Sequence, residues 1–594
     1  MDPHRPLSRF VRCRLEAWLA ARVAAPLLAA LLALPAPPLL AQSMAGARWI
    51  WGDPAARGAD APTPDPNDER WQLQRTLTLA APPQRAWAWV TCDNRFALHV
   101  NGSVAGRGSD WNRLERLDLT HLLRAGDNLL LATCRNEDGP AGFVLSLELT
   151  QADGTKQRLV SDAAWLATPV TPKDDATQPR VGGTWQPVRE LGPFGMAPWG
   201  ELQAPPAPTF DPLPGFALAT VAEGFGSVVA LASAGPGRQL ANVEGGPIFE
   251  LLDQDGDGRA DEVLPFSDAI KGCQGIHWQA GTTWFTGAGP DGHGLYRLDD
   301  AKRVAGESKP VKVVALDGDL GEHGPHAIVP GPDGALYVAI GNHARLGQPP
   351  AASSPYRLTY EGHLLPTMLD PNGHATECKA PGGVVLRVDP ASGVCELFAA
   401  GFRNHYDLAF DERGELFTFD SDMEWDVGLP WYRPLHLIHV VPGGDYGWRT
   451  GSSVWPVVAA DSLPPVLGVG RGSPTGMCRV TGEQFPARFR GALLAGDWSV
   501  GVIYAFRAVP DGASYSGVAD VLLRGHPLNV TDLAMDSDGS LLFAAGGRGT
   551  VGGVHRLRWV GDAAAAKALA AAAPAAPASA PGPETATALV RRLA

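Results

Sequence analysis

A short unit that recurs through the second half of the chain most constrains its fold. In each copy an apolar segment follows a turn of Asp or Glu with Gly, and copies lie at 332–338, 412–417 and 537–543. Short alternating segments between such turns predict antiparallel strands. Matching apolar strands recur at 294–298, 384–388, 502–506 and 554–557. Repetition of this kind is typical of sheets arranged radially around a channel, and we predict such a region over 214–559.

The composition supports an all-β chain. The 594 residues include 70 Gly and 53 Pro, and only 19% are charged. This favours many short strands and turns over long helices. The net charge of −14 argues against nucleic acid or an anionic membrane surface as a partner.

The segment 1–41 has the pattern of an export signal. Arg5, Arg9, Arg12, Arg14 and Arg22 precede an apolar run over 23–40 that several prolines interrupt. Cleavage after Ala41 is predicted, and an uncleaved anchor is the alternative. Because no later apolar run is long enough to span a bilayer, we expect no integral membrane domain after cleavage. The expected location is periplasmic or extracellular, with or without membrane association.

Export permits disulfides, and Cys92–Cys134 and Cys378–Cys395 are the preferred pairs.

Residues 46–200 alternate as β structure and predict a β-sandwich. The run 93–102, Asp-Asn-Arg-Phe-Ala-Leu-His-Val-Asn-Gly, resembles the galactose-binding-like jelly-roll accessory domains of bacterial glycosidases. The resemblance implies sugar binding, for which Trp49, Trp51 and Trp111 are candidates, unless these rings fill the core. A Pro-rich linker over 201–213 and an Ala/Pro-rich tail over 560–594 are predicted to lie outside packed structure.

The stretch 401–448 carries the densest polar pattern. Arg403-Asn404-His405 precedes an apolar hairpin, after which Asp420, Asp422, Glu424 and Asp426 follow within seven residues. Such carboxylates repel one another unless a cation or fixed dipoles offset them. A solvated loop on a hairpin is the alternative.

Two motifs in this stretch carry a family resemblance. Gly401-Phe402-Arg403-Asn404 and Gly443-Gly444-Asp445-Tyr446-Gly447-Trp448 resemble motifs of the glucose/sorbosone dehydrogenase-like propellers that use pyrroloquinoline quinone (PQQ). The loop over 420–434 is closer still to a secreted bacterial family described as membrane-bound dehydrogenases. The resemblance covers about 210–559 and implies a six-bladed β-propeller.

The resemblance also implies a site. The family's catalytic histidine precedes a Gly-Pro-Asp turn by eight residues, which corresponds to His323, with His326 as the competitor. Neutral imidazole suits removal of a hydroxyl proton. Arg403, Asn404 and Gln274 correspond to donors toward the quinone. Its calcium falls by register on the backbone carbonyls of Asp422 and Met423, where the family has Gly-Pro. Candidate cations for the PQQ carboxylates are Arg403, Arg433 and Arg548.

A second candidate metal site lies in the run 253–261. Asp253, Asp255, Asp257 and Asp261 occupy positions 1, 3, 5 and 9 of a calcium loop, with Gly256 at position 6. Leu264 stands where a full site has Glu, so the affinity should be weak. An Asp/Gly turn between strands is the alternative.

Together these features predict an exported quinoprotein-like dehydrogenase that oxidises a sugar or related alcohol, with a histidine base, PQQ and calcium. Its electrons would pass to a separate acceptor such as a cytochrome c. Two alternatives stay open. One is a calcium-dependent lactonase-type hydrolase, and the other is a non-catalytic propeller that binds glycans.

Overall fold

The computed structural model describes most of the chain between residues 43 and 571. The ranges and positions outside the description are 54–67, 152, 175–177, 181–182, 203–208, 305–308, 319–320, 358–377, 422–423, 427–428, 432–433, 450–452, 455–462, 549 and 551. The predicted export signal lies outside the described residues. Among the described residues, no helix is both long and apolar enough to cross a membrane.

Strands dominate the described residues, which confirms the all-β prediction. The helical elements are short: α1 (Asp300–Val304), α2 (Ala563–Ala571) and single 3₁₀ turns at Thr120–Leu122 and Ala487–Phe489. Frequent Gly and Pro explain this, because both interrupt helices and favour turns.

The N-terminal part consists of two antiparallel sheets that share one core. The first has the order β12-β1-β8-β3-β6 with β9 beside β8, and the second has the order β11-β10-β2-β7-β4-β5. The strands are β1 (Arg48–Trp51), β2 (Glu69–Leu79), β3 (Arg85–Asp93), β4 (Arg95–Val100), β5 (Ser103–Gly108), β6 (Glu115–Asp118), β7 (Gly126–Asn136), β8 (Gly142–Thr150), β9 (Lys156–Val160), β10 (Leu166–Pro169), β11 (Gln186–Pro187) and β12 (Arg189–Pro193).

Both sheets contribute to that core. Ile50 and Leu145 from the first sheet pack in one cluster with Leu73 and Leu130 from the second. Trp49 and Trp51 are buried, so these two rings belong to the interior rather than to a sugar-binding face. Cys92, Cys134 and Cys395 are free thiols, so neither predicted disulfide, Cys92–Cys134 or Cys378–Cys395, is formed.

The larger part, as far as it is described, consists of six antiparallel sheets of four or five strands and two short strand pairs. We call it the ring region. Its strands are β13 (Thr209–Pro212), β14 (Phe216–Glu223), β15 (Val228–Ser233), β16 (Arg238–Val243), β17 (Ile248–Leu252), β18 (Glu262–Ser267), β19 (Lys271–Gln279), β20 (Thr282–Gly289), β21 (Gly292–Asp299), β22 (Val311–Gly318), β23 (Pro325–Pro330), β24 (Leu336–Ile340), β25 (Ala344–Leu346), β26 (Gly383–Val388), β27 (Cys395–Phe402), β28 (Leu408–Phe410), β29 (Leu416–Asp420), β30 (Glu424–Asp426), β31 (Leu429–Trp431), β32 (His436–Val440), β33 (Trp448–Arg449), β34 (Ser453–Val454), β35 (Leu467–Gly468), β36 (Pro474–Arg479), β37 (Leu493–Asp497), β38 (Val502–Asp511), β39 (Ser514–His526), β40 (Val530–Met535), β41 (Leu541–Ala545) and β42 (Gly553–Trp559).

The inner strands of the six sheets contact one another in a closed order. β15 contacts β19, β19 contacts β23, and the series continues through β28, β36 and β40 back to β15. Two pairings join the ends of the region, since β14 pairs with β42 and β13 pairs with β39. Early and late strands therefore share sheets, and the circle is closed by hydrogen bonds.

A cavity of about 410 Å³ is lined by all six inner strands and contains two acidic side chains. Asp407 accepts the Met477 N–H at 2.5 Å, and Asp532 accepts the Leu231 N–H at 2.6 Å. Each carboxylate thus joins its own sheet to the next. Burial raises the pKa of Asp532 to about 7 and, together with the charge of Asp532, raises the pKa of Asp407 well above its usual range.

Two predicted boundaries are wrong. The predicted linker extends too far, because residues 209–212 form β13 and pair with β39. The predicted tail begins with the packed helix α2, whose Leu569 is buried against the core beside Phe489. In both places a contact with a distant part of the chain orders a segment whose composition alone favours a tether.

Candidate active site

Four residues predicted for the site meet around one short loop, 321–323, between β22 and β23. The Gln274 side-chain amide donates to the Gly321 carbonyl at 3.1 Å. The Asn404 amide donates to the Glu322 carbonyl at 3.0 Å, and Arg403 contacts the His323 ring. The strand start of β19 and the segment after β27 therefore converge on this loop, as the closed order of the inner strands requires.

His323 is held in one orientation. Its side chain is buried, and Nδ1 lies 2.5 Å from Oδ1 of Asn342. The amide oxygen can only accept, so Nδ1 carries the proton. Nε2 then holds the lone pair, and it lies 3.4 Å from Nη1 of Arg403. The arrangement leaves an unprotonated ring nitrogen beside a fixed cation.

Arg403 is positioned through its backbone as well as its side chain. The N–H groups of Arg403 and Asn404 donate to the two carboxylate oxygens of Asp420 at 2.9 and 2.8 Å. Nη1 of Arg403 also donates to the Ser421 hydroxyl at 3.1 Å. Burial raises the pKa of Asp420 to about 6, although these N–H donors and the Arg403 charge oppose the shift. Asp420 is therefore an anchor for the site.

His326 supports Asn404. Its Nε2 donates to Oδ1 of Asn404 at 2.8 Å, and its ring stacks on Tyr406 with centroids 4.3 Å apart. His326 is fully buried, and burial lowers its pKa to about 4. The ring is accordingly neutral near pH 7, and its N–H is already committed to another side chain.

Arg548 adds a cation beside the same loop. It lies in the β41–β42 connection with a left-handed backbone, φ 54°. Its Nη2 is 2.7 Å from the Glu322 carboxylate, with both side chains more than half exposed. Its guanidinium carbon lies 5.2 Å from the centre of the Trp498 ring. Arg548 is therefore a second, solvent-accessible cation beside the loop that Arg403 contacts, and it could bind an anionic group held there.

The predicted metal residues fall into two groups. Asp422 and Met423, like Arg433, lie outside the described residues. In the β17–β18 turn, oxygens of Asp253, Asp255 and Asp261 lie within 4.8 Å of one another. Asp257 is not in that group, and its carboxylate accepts the Arg259 N–H at 2.7 Å. Three of the four predicted carboxylates therefore converge, and all four accept backbone N–H groups of the turn.

The sequence reasoning missed Asn342 and misread Asp420. Asn342 lies two residues after β24, the second strand of the sheet that begins after His323, and the β23–β24 pairing brings it to the imidazole. Asp420 was predicted as one of four loop carboxylates near a cation. The structure instead buries it beneath the Arg403 backbone. A polar residue at a strand end of the same repeat unit is the signal that would have found Asn342.

Comparison with known proteins gives partial matches. No protein-family model matches the sequence. A curated alpha-L-rhamnosidase of Streptomyces avermitilis is 32% identical over 179 residues, which span 28% of this chain and 16% of that enzyme. Among solved structures, the PQQ-bound aldose sugar dehydrogenase of Streptomyces coelicolor is 17% identical, with 60% of this chain and 99% of that chain covered and a TM-score of 0.41. A calcium structure of a Trichoderma reesei AA12-family carbohydrate-active enzyme is 14% identical, with 60% and 97% covered and a TM-score of 0.43.

Proposed function

We propose that the ring region is a six-bladed β-propeller and that it works as a quinoprotein-like dehydrogenase on a sugar or related alcohol. The observation that carries this proposal is the His323 arrangement. Its Nδ1 proton is fixed on Asn342, and its Nε2 lone pair faces the Arg403 guanidinium. A base and a fixed cation side by side suit oxidation of an alcohol, because one group takes a proton while the other stabilises negative charge.

The residues fit PQQ in donor type and charge. Arg403 and Arg548 would hold its carboxylates or quinone oxygen, with Asn404 and Gln274 as amide donors. Calcium would bind at the backbone carbonyls of Asp422 and Met423. When bound, the quinone would accept the hydride that leaves the carbinol carbon. His323 Nε2 takes the hydroxyl proton at the same stage, so the substrate loses two electrons and two hydrogens and becomes a carbonyl compound or lactone.

His323 is a better base than His326 on geometric grounds. His326 Nε2–H donates to Asn404 and its ring lies under Tyr406. Taking a substrate proton there would require the buried ring to leave both contacts. His323 Nε2 lies beside Arg403, which is a donor that a substrate oxygen can share.

The wider setting follows from the same proposal. The protein would be exported to the periplasm or cell exterior and would pass electrons to a separate acceptor such as a cytochrome c. Acceptor and location rest on the sequence pattern of the segment 1–41 and on the family resemblance.

The test is reconstitution of the purified full chain with PQQ and calcium, followed by a visible spectrum and dye reduction over a sugar panel. We expect quinone binding, and we expect His323→Ala to lower turnover by roughly 10²–10⁴-fold while quinone binding survives. His326→Ala should lower turnover less than His323→Ala does, because His326 acts on the site through Asn404. A wild type that binds no quinone would refute the proposal, and the hydrolase and glycan-binding alternatives would then lead. A fully inactive His326→Ala beside an active His323→Ala would reverse the assignment of the base.

We also propose that the N-terminal part is a jelly-roll accessory domain that binds carbohydrate. The likeness of 93–102 to glycosidase accessory domains supports this, and the rhamnosidase match would then lie in this part. Calorimetric titration of the full chain with L-rhamnose and D-galactose tests it. Absence of heat with either sugar would argue against binding of these two sugars.

A further inference from the structure

Directly beside His323 lies a second cavity, of about 590 Å³, which we call the side cavity. Its lining includes Asn342, His343, Arg345, Gln348 and Lys379. The ring centroid of His343 is 4.4 Å from that of His323, and Asn342 both contacts His323 and lines the cavity. A cavity of this size falls within the range of small-molecule sites, roughly 300–1,000 Å³.

The side-chain amide of Asn342 contains an N–H donor group with no hydrogen-bond acceptor among the described residues. The residue is only 6% exposed, and its Oδ1 is committed to His323. Its Nδ2 is buried and has no hydrogen-bond partner among the described residues. A buried donor left unpaired costs about 1–3 kcal/mol, so such groups usually serve a ligand or an ordered water. This unpaired donor belongs to a residue that lines the side cavity.

The charge of the side cavity opposes that of the whole protein. Its described lining contains Arg345 and Lys379 and no Asp or Glu, although the net charge of the chain is −14. Arg345 is 4.0 Å from Asp317 in an exposed pair, which contributes little and leaves the guanidinium able to bind another anion. Gln348 is fixed in place because its Oε1 accepts the Ala315 N–H at 3.0 Å.

We propose that the side cavity binds the end of the substrate remote from the oxidised carbon, and that this end carries a carboxylate. The substrate would thus be an acidic saccharide such as a uronate. Asn342 Nδ2 and Gln348 would donate to hydroxyl or carboxylate oxygens, and Lys379 with Arg345 would supply the charge. This inference rests on the proposed function of His323, because the cavity selects substrates only if the reaction occurs at that ring.

The matched probes are D-glucuronate and D-glucose, which differ only by a carboxylate in place of a hydroxymethyl group. Titration of the full chain without cofactor should show glucuronate binding at least about tenfold more tightly, with the difference shrinking at high salt. Lys379→Gln should weaken glucuronate binding about five- to tenfold and leave glucose unchanged. Lys309→Gln, an exposed lysine outside the cavity lining, is the control and should change neither.

Asn342→Asp sharpens the test. A carboxylate there keeps an acceptor for His323 Nδ1–H but replaces the unpaired donor of this cavity-lining residue with a negative charge. We expect glucuronate binding, measured without PQQ, to fall at least about tenfold, and unchanged glucuronate binding in this variant would contradict the inference.

Equal binding of the two sugars by the wild type would overturn the inference. A loss of PQQ affinity in Lys379→Gln would also overturn it, because the cavity would then hold a carboxylate of the cofactor. Sugar binding is measured without PQQ, so a failure of dye reduction would refute the proposed function while leaving the cavity result readable.

Discussion

A buried carboxylate and a group of exposed carboxylates in the ring region show how burial decides whether an acidic side chain binds the protein backbone or is open to a cation. Asp420, at the end of β29, is 4% exposed and accepts two backbone N–H groups from the Arg403 segment. Asp253, Asp255 and Asp261 lie in the β17–β18 turn, where the latter two are exposed and the oxygens of all three approach one another. Both regions have backbone N–H donors, but the oxygens of Asp420 are buried, whereas Asp255 and Asp261 remain exposed and could exchange water for a cation.

The largest expected effect is on the buried side of this comparison. Asp420→Ala leaves the N–H groups of Arg403 and Asn404 buried without an acceptor. We expect a loss of about 2–5 kcal/mol in the free energy of unfolding and loss of dye reduction. Urea denaturation of both proteins measures the first effect. Asp255→Ala in the exposed turn is the matched control, and a loss of similar size in that variant without calcium would contradict the comparison.

A smaller effect concerns the pH dependence of stability. The pKa of Asp532 is raised to about 7 in the folded protein, and the unfolded value is near 3.8. Such a group stabilises the fold fully below pH 3.8, and this contribution is lost as the pH rises through 7. The unfolding temperature should therefore decline across this interval, and Asp532→Asn should flatten that decline. Parallel profiles for the two proteins would show that Asp532 does not cause it.

The smallest expected effect is a calcium response of the exposed turn. Calcium at 100 times its dissociation constant would stabilise the fold by about 2.7 kcal/mol, and a weak site would give less at ordinary concentrations. Asp255→Ala should remove most of the rise in unfolding temperature. Asp257→Ala should keep it, because Asp257 lies outside the converging group. An unchanged response in Asp255→Ala would place the ion elsewhere in the chain.

The same contrast explains how far the sequence predicted this molecule. Strands follow from local alternation, so units such as 332–338 and 537–543 were predicted and β24 and β41 confirm them. The pairing of β13 with β39 joins Thr209 to His526, near opposite ends of the ring region, and no local pattern specifies it. Composition therefore misassigned 209–212 and 563–571, where a distant partner decides the structure.

The site shows the same limit. Gln274, His323, Arg403 and Asn404 were predicted because their motifs are local, and the structure brings them around one loop. Their chemical roles stay predictions. Asn342 acts on His323 from 19 positions away in the chain. The role of Asp420 depends on burial, and a run of acidic residues in the sequence does not show which carboxylate is buried and which is solvated.

The closure of the ring by β14 with β42 has a consequence for synthesis. The ribosome makes β14 early and β42 only after the other strands of the ring region have emerged. Until then β14 and β41 both lack their partner strand, and the inner strands near Gln274, His323 and Arg403 lack a complete circle. A nascent chain stopped before Gly553 would contain Gln274, His323, Arg403 and Asn404 and still present an open edge to other proteins. The site can therefore reach its final arrangement only after β42 has emerged and closed the ring, although its own residues are synthesised earlier.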